Sequence, residues 1–167
     1  MGSRRSLNTI VMADDDEDDR VLVKNAFEES RLSGEIHFVG DGEELLDYLH
    51  RRGKYAALQG APLPHLILLD LNMPRKDGRE ALKEIKADPT LRAIPIVVLT
   101  TSRDEQDIQR SYQLGVNSFI VKPALFTALV EVVKTLRRYW FDVVELPPST
   151  GLRCPEPPAA GGAGGKP

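Results

Sequence analysis

The stretch "HLILLDLNMPRKDG", residues 65–78, decides the fold. Five consecutive apolar or weakly polar positions ending on an acid cannot be the half-exposed strand of a two-layer protein, because no polar residue alternates with the apolar ones. A short unbroken run of this kind is a strand covered on both faces, the signature of a parallel sheet between two layers of helices. The next segment, with asparagine, proline, lysine, aspartate and glycine, is turn chemistry. It hands the chain to "REALKEIKAD", whose apolar residues recur at helical spacing until Pro89 forbids continuation.

The same alternation extends in both directions. Upstream, "TIVMA" (Thr9–Ala13) and "EIHFVG" read as strands. Each is followed by a helical pattern: the first carries Val21, Leu22, Val23, Ala26 and Phe27 to about Arg31 and closes at Ser33-Gly34. The second opens at Asp41 as its cap, buries Leu45, Leu46 and Leu49, and stops at Gly53. "KYAALQGAPLP" reads as a loop. Downstream, "IPIVVLTTS" and "NSFIVKP" are strands four and five. "DEQDIQRSYQLG" is a weaker helix with Ile108, Tyr112 and Leu114 inward and Gly115 as its stop. "LFTALVEVVKTLRRYW" is the last helix, with Leu125, Leu129, Val132, Val133 and Leu136 at core spacing. Five strand–helix pairs predict an α/β, doubly wound, five-stranded parallel sheet with five helices. One domain is expected over residues 7–146, ending in a short aromatic extension, with a disordered Pro/Gly-rich tail over 147–167.

Bulk properties agree with an ordinary globular domain. The chain has 167 residues, 41% hydrophobic and 28% charged, with a formal net charge of −3. That balance offers no electrostatic attraction to nucleic acid or an anionic membrane. No apolar run approaches the roughly 20 residues needed to cross a bilayer. The single cysteine, Cys154, lies in the tail and permits no internal disulfide, which fits a reducing, cytoplasmic setting. His37, His50 and His65 have no metal-ligand spacing and read as structural.

In a parallel sheet the carboxyl ends of all strands share one edge, where ligands bind at the switch in strand order. That edge collects Asp14 and Asp15 after strand one, Asp70 after strand three, Thr100 and Ser102 at the end of strand four, and Lys122-Pro123 after strand five. Two carboxylates about 4 Å apart repel by about 4 kcal/mol at an effective dielectric of 20, so three require a cation. Oxygen donors without His or Cys select Mg²⁺, or Mn²⁺, over zinc. Such an ion keeps several waters, leaving Asp70 free to act as a nucleophile toward phosphorus, with Thr100 and Lys122 suited to holding phosphoryl oxygens. The remaining acids of "ADDDEDD" have blander roles: Asp16 as a helix cap, and Glu17, Asp18 and Asp19 as solvated first-turn charges.

Taken together, "ADDDEDD", "LILLDLNMPRKDG", "VVLTTS" and "SFIVKP", in this order and at these intervals, resemble the receiver domain of two-component response regulators over about residues 7–140. "EIKADPTLRAIPIVVLTTS", "SYQLGVNSFIVKP" and "RRYWFDVVELPP" further resemble the stand-alone regulators of phytochrome-type histidine kinases. The resemblance implies a flavodoxin-like fold and a single-domain phosphorylation switch, a signalling acceptor rather than a metabolic enzyme, with self-catalysed phosphotransfer and autodephosphorylation. It implies Asp70 as phospho-acceptor, and a metal site of Asp15, Asp70, Asp14 through water, and the Asn72 carbonyl. It implies Thr100 and Phe119 as switch residues, Lys122 as the phosphate-binding lysine, and a cis peptide before Pro123. Its implied partner is a sensor histidine kinase. A second copy of the chain, docked through helix four, strand five, helix five and the aromatic extension, is the expected output partner. Asn72 and Ser102 flank the site and are expected to tune hydrolysis. At Ala124-Leu125 the usual capping residue of the last helix is missing, so that helix is expected to start late or fray. Two other classes stay open on residues alone: a Mg²⁺-dependent phosphatase, which generally needs an acid where this chain has Asn72, and a phosphate-independent interaction domain. "RRYWF" reads equally as an interface or as a segment folded back on its own domain.

Overall fold

A computed structural model describes residues 8–30 and 34–148. The predicted close of the first helix at Ser33, most of the predicted disordered tail, and Cys154 lie outside the described residues. Strands β1 (Thr9–Ala13), β2 (Glu35–Val39), β3 (Leu66–Leu69), β4 (Ile96–Thr100) and β5 (Ser118–Val121) alternate with helices α1 (Glu17–Glu29), α2 (Gly42–His50), α3 (Gly78–Ala87), α4 (Glu105–Leu114) and α5 (Phe126–Arg137). The strands form one parallel sheet in the order β2-β1-β3-β4-β5. The order reverses between β1 and β3, which places the ligand-binding crevice at their carboxyl ends.

The continuous apolar runs have the predicted cause. Every residue of β3 and β4 is buried. Side chains alternate across the sheet, so each strand feeds two cores. Val11, Ile67, Leu69, Ile96 and Val98 face α2 and α3, while Ile10, Met12, Leu66, Leu68 and Val97 face α1 and α5.

Four helices start at the carboxyl edge of the sheet with an aspartate cap that accepts backbone N–H bonds: Asp16, Asp41, Asp77 and Asp104. The fifth does not. α5 begins after Leu125, whose side chain caps nothing and is 70% exposed. The helix nevertheless starts directly after the position where the cap would stand, so the expected shift is not seen; the expectation of Leu125 in the core is corrected, because it lies before the first helical turn.

Three other details differ from the sequence reading. α2 stops at Arg51 in the left-handed region (φ 55°), not at Gly53; the buried guanidinium bonds to the Tyr48 and Pro62 carbonyls and lies over the Tyr48 ring, which holds the strained backbone in place. The first part of the expected loop, Lys54–Leu58, belongs to a 3₁₀ segment, Gly53–Leu58. Its Tyr55 hydroxyl donates to Glu44, which also accepts from Lys54 and the Gly40 N–H. Tyr112 is exposed rather than inward; its hydroxyl accepts from the Phe119 N–H at 3.2 Å, occupying a donor on the edge strand. On α1, Val21 and Leu22 are exposed while Val23, Ala26 and Phe27 are buried.

After α5 the chain makes a π-helical turn, Arg138–Val143. Trp140 is buried, and Phe141, Val144 and Leu146 pack on the α1–α5 core, so this part of the extension folds back on its own domain. Tyr139 and Val143 remain exposed. Among the described residues no helix is long and apolar enough to cross a membrane.

Candidate functional site

Asp14 is the first residue beyond β1, held there by its N–H bond to the Val39 carbonyl, and Asp70 the first beyond β3, held by its N–H bond to the Ala13 carbonyl. Parallel pairing of the two strands therefore sets the two carboxylates side by side. Both are buried, while Asp15 is exposed at the rim. Each of the three offers an oxygen such that the ligand atoms all lie within 4.8 Å of one another. Thr100, the last residue of β4, is fully buried and donates its hydroxyl to Asp70 Oδ1 at 2.8 Å. The Asn72 N–H donates to the same oxygen at 3.2 Å.

Lys122 follows β5, where its N–H bond to the Thr100 carbonyl fixes the backbone. Its ammonium reaches Asp70 Oδ2 at 3.1 Å, Asp14 Oδ2 at 2.5 Å and Asp19 Oδ2 at 2.8 Å. Burial alone would drive the proton off, but the bonds to Asp14 and Asp19 outweigh it and the ammonium is held more firmly than in water. Burial pushes the Asp14 carboxyl up despite the bond from Lys122. The neighbouring Asp70 carboxylate adds a smaller push in the same direction, and the crevice as a whole holds a surplus of negative charge, with one ammonium among four carboxylates.

That surplus is the test of fit for a metal. Three convergent carboxylates, no nitrogen or sulfur donor, and a buried acid pushed toward neutrality together suit a hard divalent cation such as Mg²⁺ or Mn²⁺.

The structure brings Asp14, Asp15, Asp70, Thr100 and Lys122 together as expected. Ser102 stands at the site's edge, its N–H 3.4 Å from Thr100 Oγ1. Phe119 is half-buried on β5 and packs against the α2–α3 side of the core. One expectation is corrected: there is no cis peptide bond among the described residues, so the bond before Pro123 is trans. The trans form is the lower-energy isomer of an X–Pro bond by about 0.5–1 kcal/mol, and the Lys122 ammonium reaches all three carboxylates with it.

Asp19 was missed. Its place in the first turn predicts a solvated charge, yet its carboxylate accepts from the Lys122 ammonium at 2.8 Å. The signal was its position three residues after the Asp16 cap, since helical side chains lean toward the N-terminus and so over the strand ends.

Comparisons with known proteins agree with this geometry. The response regulator receiver domain family matches residues 10–134. The response regulator Rcp1 of Synechocystis is 40% identical over 138 residues, covering 83% of this chain and 92% of that one. Its Mn²⁺-bound form superposes with a TM-score of 0.77 at 39% identity, over 84% of this chain and 99% of that one. The phosphorylated cyanobacterial phytochrome response regulator RcpA gives a TM-score of 0.79 at 44% identity, over 86% and 100%. A probable methanogenesis regulatory protein of Methanothrix harundinacea, FilR2, is 41% identical over 133 residues, covering 78% and 82%. A family match over residues 10–134, a span that includes the strand-end acids, hydroxyl and lysine that the fold assembles, makes this chain a member of the response regulator receiver domain family.

Proposed function

We propose that Asp70 is the phosphoryl acceptor of this receiver and that a phosphohistidine of a sensor histidine kinase is the donor. One observation carries the reading: both Asp70 oxygens are already held by the groups that would bind a transferred phosphoryl, Thr100 Oγ1 on one and Lys122 Nζ on the other. An Asp70 oxygen attacks phosphorus; the new O–P bond forms as the P–N bond breaks, and its electron pair stays on the imidazole. Thr100 and Lys122 turn to the phosphoryl oxygens, and positioning with electrostatic stabilisation does the work. Asp15, Asp70 and the Asn72 carbonyl would hold the divalent cation, with Asp14 acting through water, and the cation supplies neutralisation of the phosphoryl charge. Water later cleaves the acyl phosphate to carboxylate and inorganic phosphate, ending the signal.

The switch reading assigns the readout to Thr100 and Phe119. A hydroxyl drawn toward the phosphoryl vacates space between β4 and β5, which Phe119 fills by turning inward. The kinase reading is supported by a depression of about 370 Å³ beside the site, where exposed Leu22, Leu125 and Phe126 surround Lys122 and Pro123. Similarity to RcpA favours a phytochrome-type kinase, in the cytoplasm. The output is a second copy of this chain, docked through α4, β5, α5 and the aromatic extension, where Tyr112 of α4 and Tyr139 of the extension are half-exposed and Val143 more so. Sedimentation with and without phosphoryl donor tests that contact; a monomer at high concentration in both conditions overturns it.

The acceptor is tested by intact-protein mass after incubation with Mg²⁺ and acetyl phosphate. Wild type gains one phosphoryl group; Asp70→Asn gains none, and neither does wild type with chelator. An adduct that persists in Asp70→Asn removes Asp70 from the role.

A further inference from the structure

The receiver chemistry uses Asp70, Thr100, Lys122 and the acidic pair, and leaves unexplained a compact polar cluster on the other side of Thr100. Arg79, in the first turn of α3, makes a two-pronged ion pair with Asp107, in the first turn of α4: Nε to Oδ1 at 2.7 Å and Nη2 to Oδ2 at 2.6 Å. Planar forks of this kind are the most geometrically demanding ion pairs a protein makes. Asp107 is nearly enclosed, with 12% of its side chain exposed. The Arg79 guanidinium holds its carboxyl below the usual carboxylate range, helped by Ser102.

The pair does not stand alone. Ser102 Oγ donates to Asp107 Oδ2 at 2.7 Å and accepts from the Asp104 N–H at 3.3 Å, while the Ser102 N–H points at Thr100 Oγ1. On the far side Arg79 makes longer contacts back to the β3–α3 turn, 3.4 Å to the Leu71 carbonyl and 3.5 Å to Asn72 Oδ1. The Asn72 N–H, in turn, donates to Asp70 Oδ1. The contacts close a ring: Asp70, Thr100, Ser102, Asp107, Arg79, Asn72 and Asp70 again. Its strong links are the fork, the Ser102–Asp107 bond and the Thr100–Asp70 bond. A ring that runs through the turn after β4 and returns through the turn after β3 fixes one turn relative to the other.

We propose that Arg79 and Asp107 are positioning residues: their ion pair, closed by Ser102, locks the turn between β4 and α4 so that the Thr100 hydroxyl stays aimed at Asp70. The inference rests on Asp70 being the phosphoryl acceptor, and it extends the site to two residues with no hydrogen bond to Asp70 or to the acidic pair Asp14 and Asp15. It also ties the site to α4, whose last turn holds the edge strand through Tyr112 and the Phe119 N–H. A Thr100 drawn to a phosphoryl group therefore pulls on a helix anchored at both ends.

The test compares Arg79→Ala, Asp107→Ala, the double variant and Arg79→Lys, all well below their melting temperatures. Backbone ¹⁵N relaxation of residues 101–104 needs no phosphoryl chemistry. In each alanine variant the order parameters of this turn fall from about 0.85 to below about 0.6. Phosphoryl uptake from acetyl phosphate at saturating Mg²⁺ slows by about tenfold, since misplaced groups are costly in transfer reactions. The double variant is no slower than either single one, because both remove the same link. Arg79→Lys, which keeps the charge and loses the fork, falls between. A rigid turn in the alanine variants overturns the inference, as do losses that add in the double variant or a loosened turn with wild-type uptake. Should wild type accept no phosphoryl group, the acceptor assignment fails by itself, and relaxation of the turn still decides whether the pair locks it.

Discussion

Gly78 shows how tightly single residues control the site. It opens α3, and its N–H donates to the Leu71 carbonyl at 2.9 Å. A Cβ at this position would stand 2.0 Å from the Asp70 carbonyl oxygen and 2.8 Å from Leu71 Cα. Both are backbone atoms, so nothing flexible can move aside, and the strand end that carries the acceptor must shift. Gly78→Ala should cost about 3 kcal/mol by overpacking and also reduce phosphoryl uptake, because the displaced atoms belong to Asp70 itself. Urea unfolding and intact mass check the two effects; a variant with both at wild-type values would show that the helix start yields instead. At this scale the sequence was legible wherever a strand end dictates position, as for Asp14, Asp70, Thr100 and Lys122. It was illegible where a side chain's partner comes from a distant turn. Asp19 and Lys122 are 103 positions apart and Arg79 and Asp107 are 28 apart, and no local periodicity links either pair.

The elements were legible for a physical reason: burial on both faces writes a strand as an unbroken apolar run, and covering a sheet writes each helix as one apolar stripe. α3 shows this most clearly, with Ala81, Leu82 and Ile85 buried and Asp77 as cap. The misreadings cluster where that logic weakens. α4 buries only Ser111 fully, so its apolar residues did not mark its inner face, and Tyr112 went to the surface to satisfy an edge-strand N–H. α2 ended early because Arg51 could take a left-handed conformation while its guanidinium bonded to carbonyls and stacked on Tyr48, a stop no propensity favours. At the end of α5 the buried Arg137 guanidinium donates to the Phe27 carbonyl and the Ser30 hydroxyl at the end of α1 and lies over the Phe27 ring. The last helix thus supplies the positive charge that α1 lacks in its own final turn.

For the molecule as a whole, charge is distributed as unevenly as polarity. Asp14, Asp15, Asp19 and Asp70 with Lys122 leave three formal negative charges in one crevice, as many as the entire 167-residue chain carries. The rest of the chain is formally balanced, so the chain's whole surplus of negative charge is an electrostatic load concentrated at the cation-free site. Exposed Asp15 bears that load without a partner in the Lys122 cluster. Asp15→Asn should therefore stabilise the protein in chelator by about 1 kcal/mol, the repulsion of two charges about 4 Å apart in water. Mg²⁺ reverses the comparison. At a hundredfold excess over its dissociation constant, a bound ion stabilises the folded state by about 2.7 kcal/mol, raising the melting temperature by about 5–10 °C for a domain of this size. The variant, short of one oxygen ligand, should gain much less. Scanning calorimetry in chelator and in Mg²⁺ should thus show the two proteins exchanging rank, the variant melting higher without the ion and wild type higher with it. Melting curves that keep the same order in both buffers would remove Asp15 from the metal site and leave the surplus charge to be met by Lys122 alone.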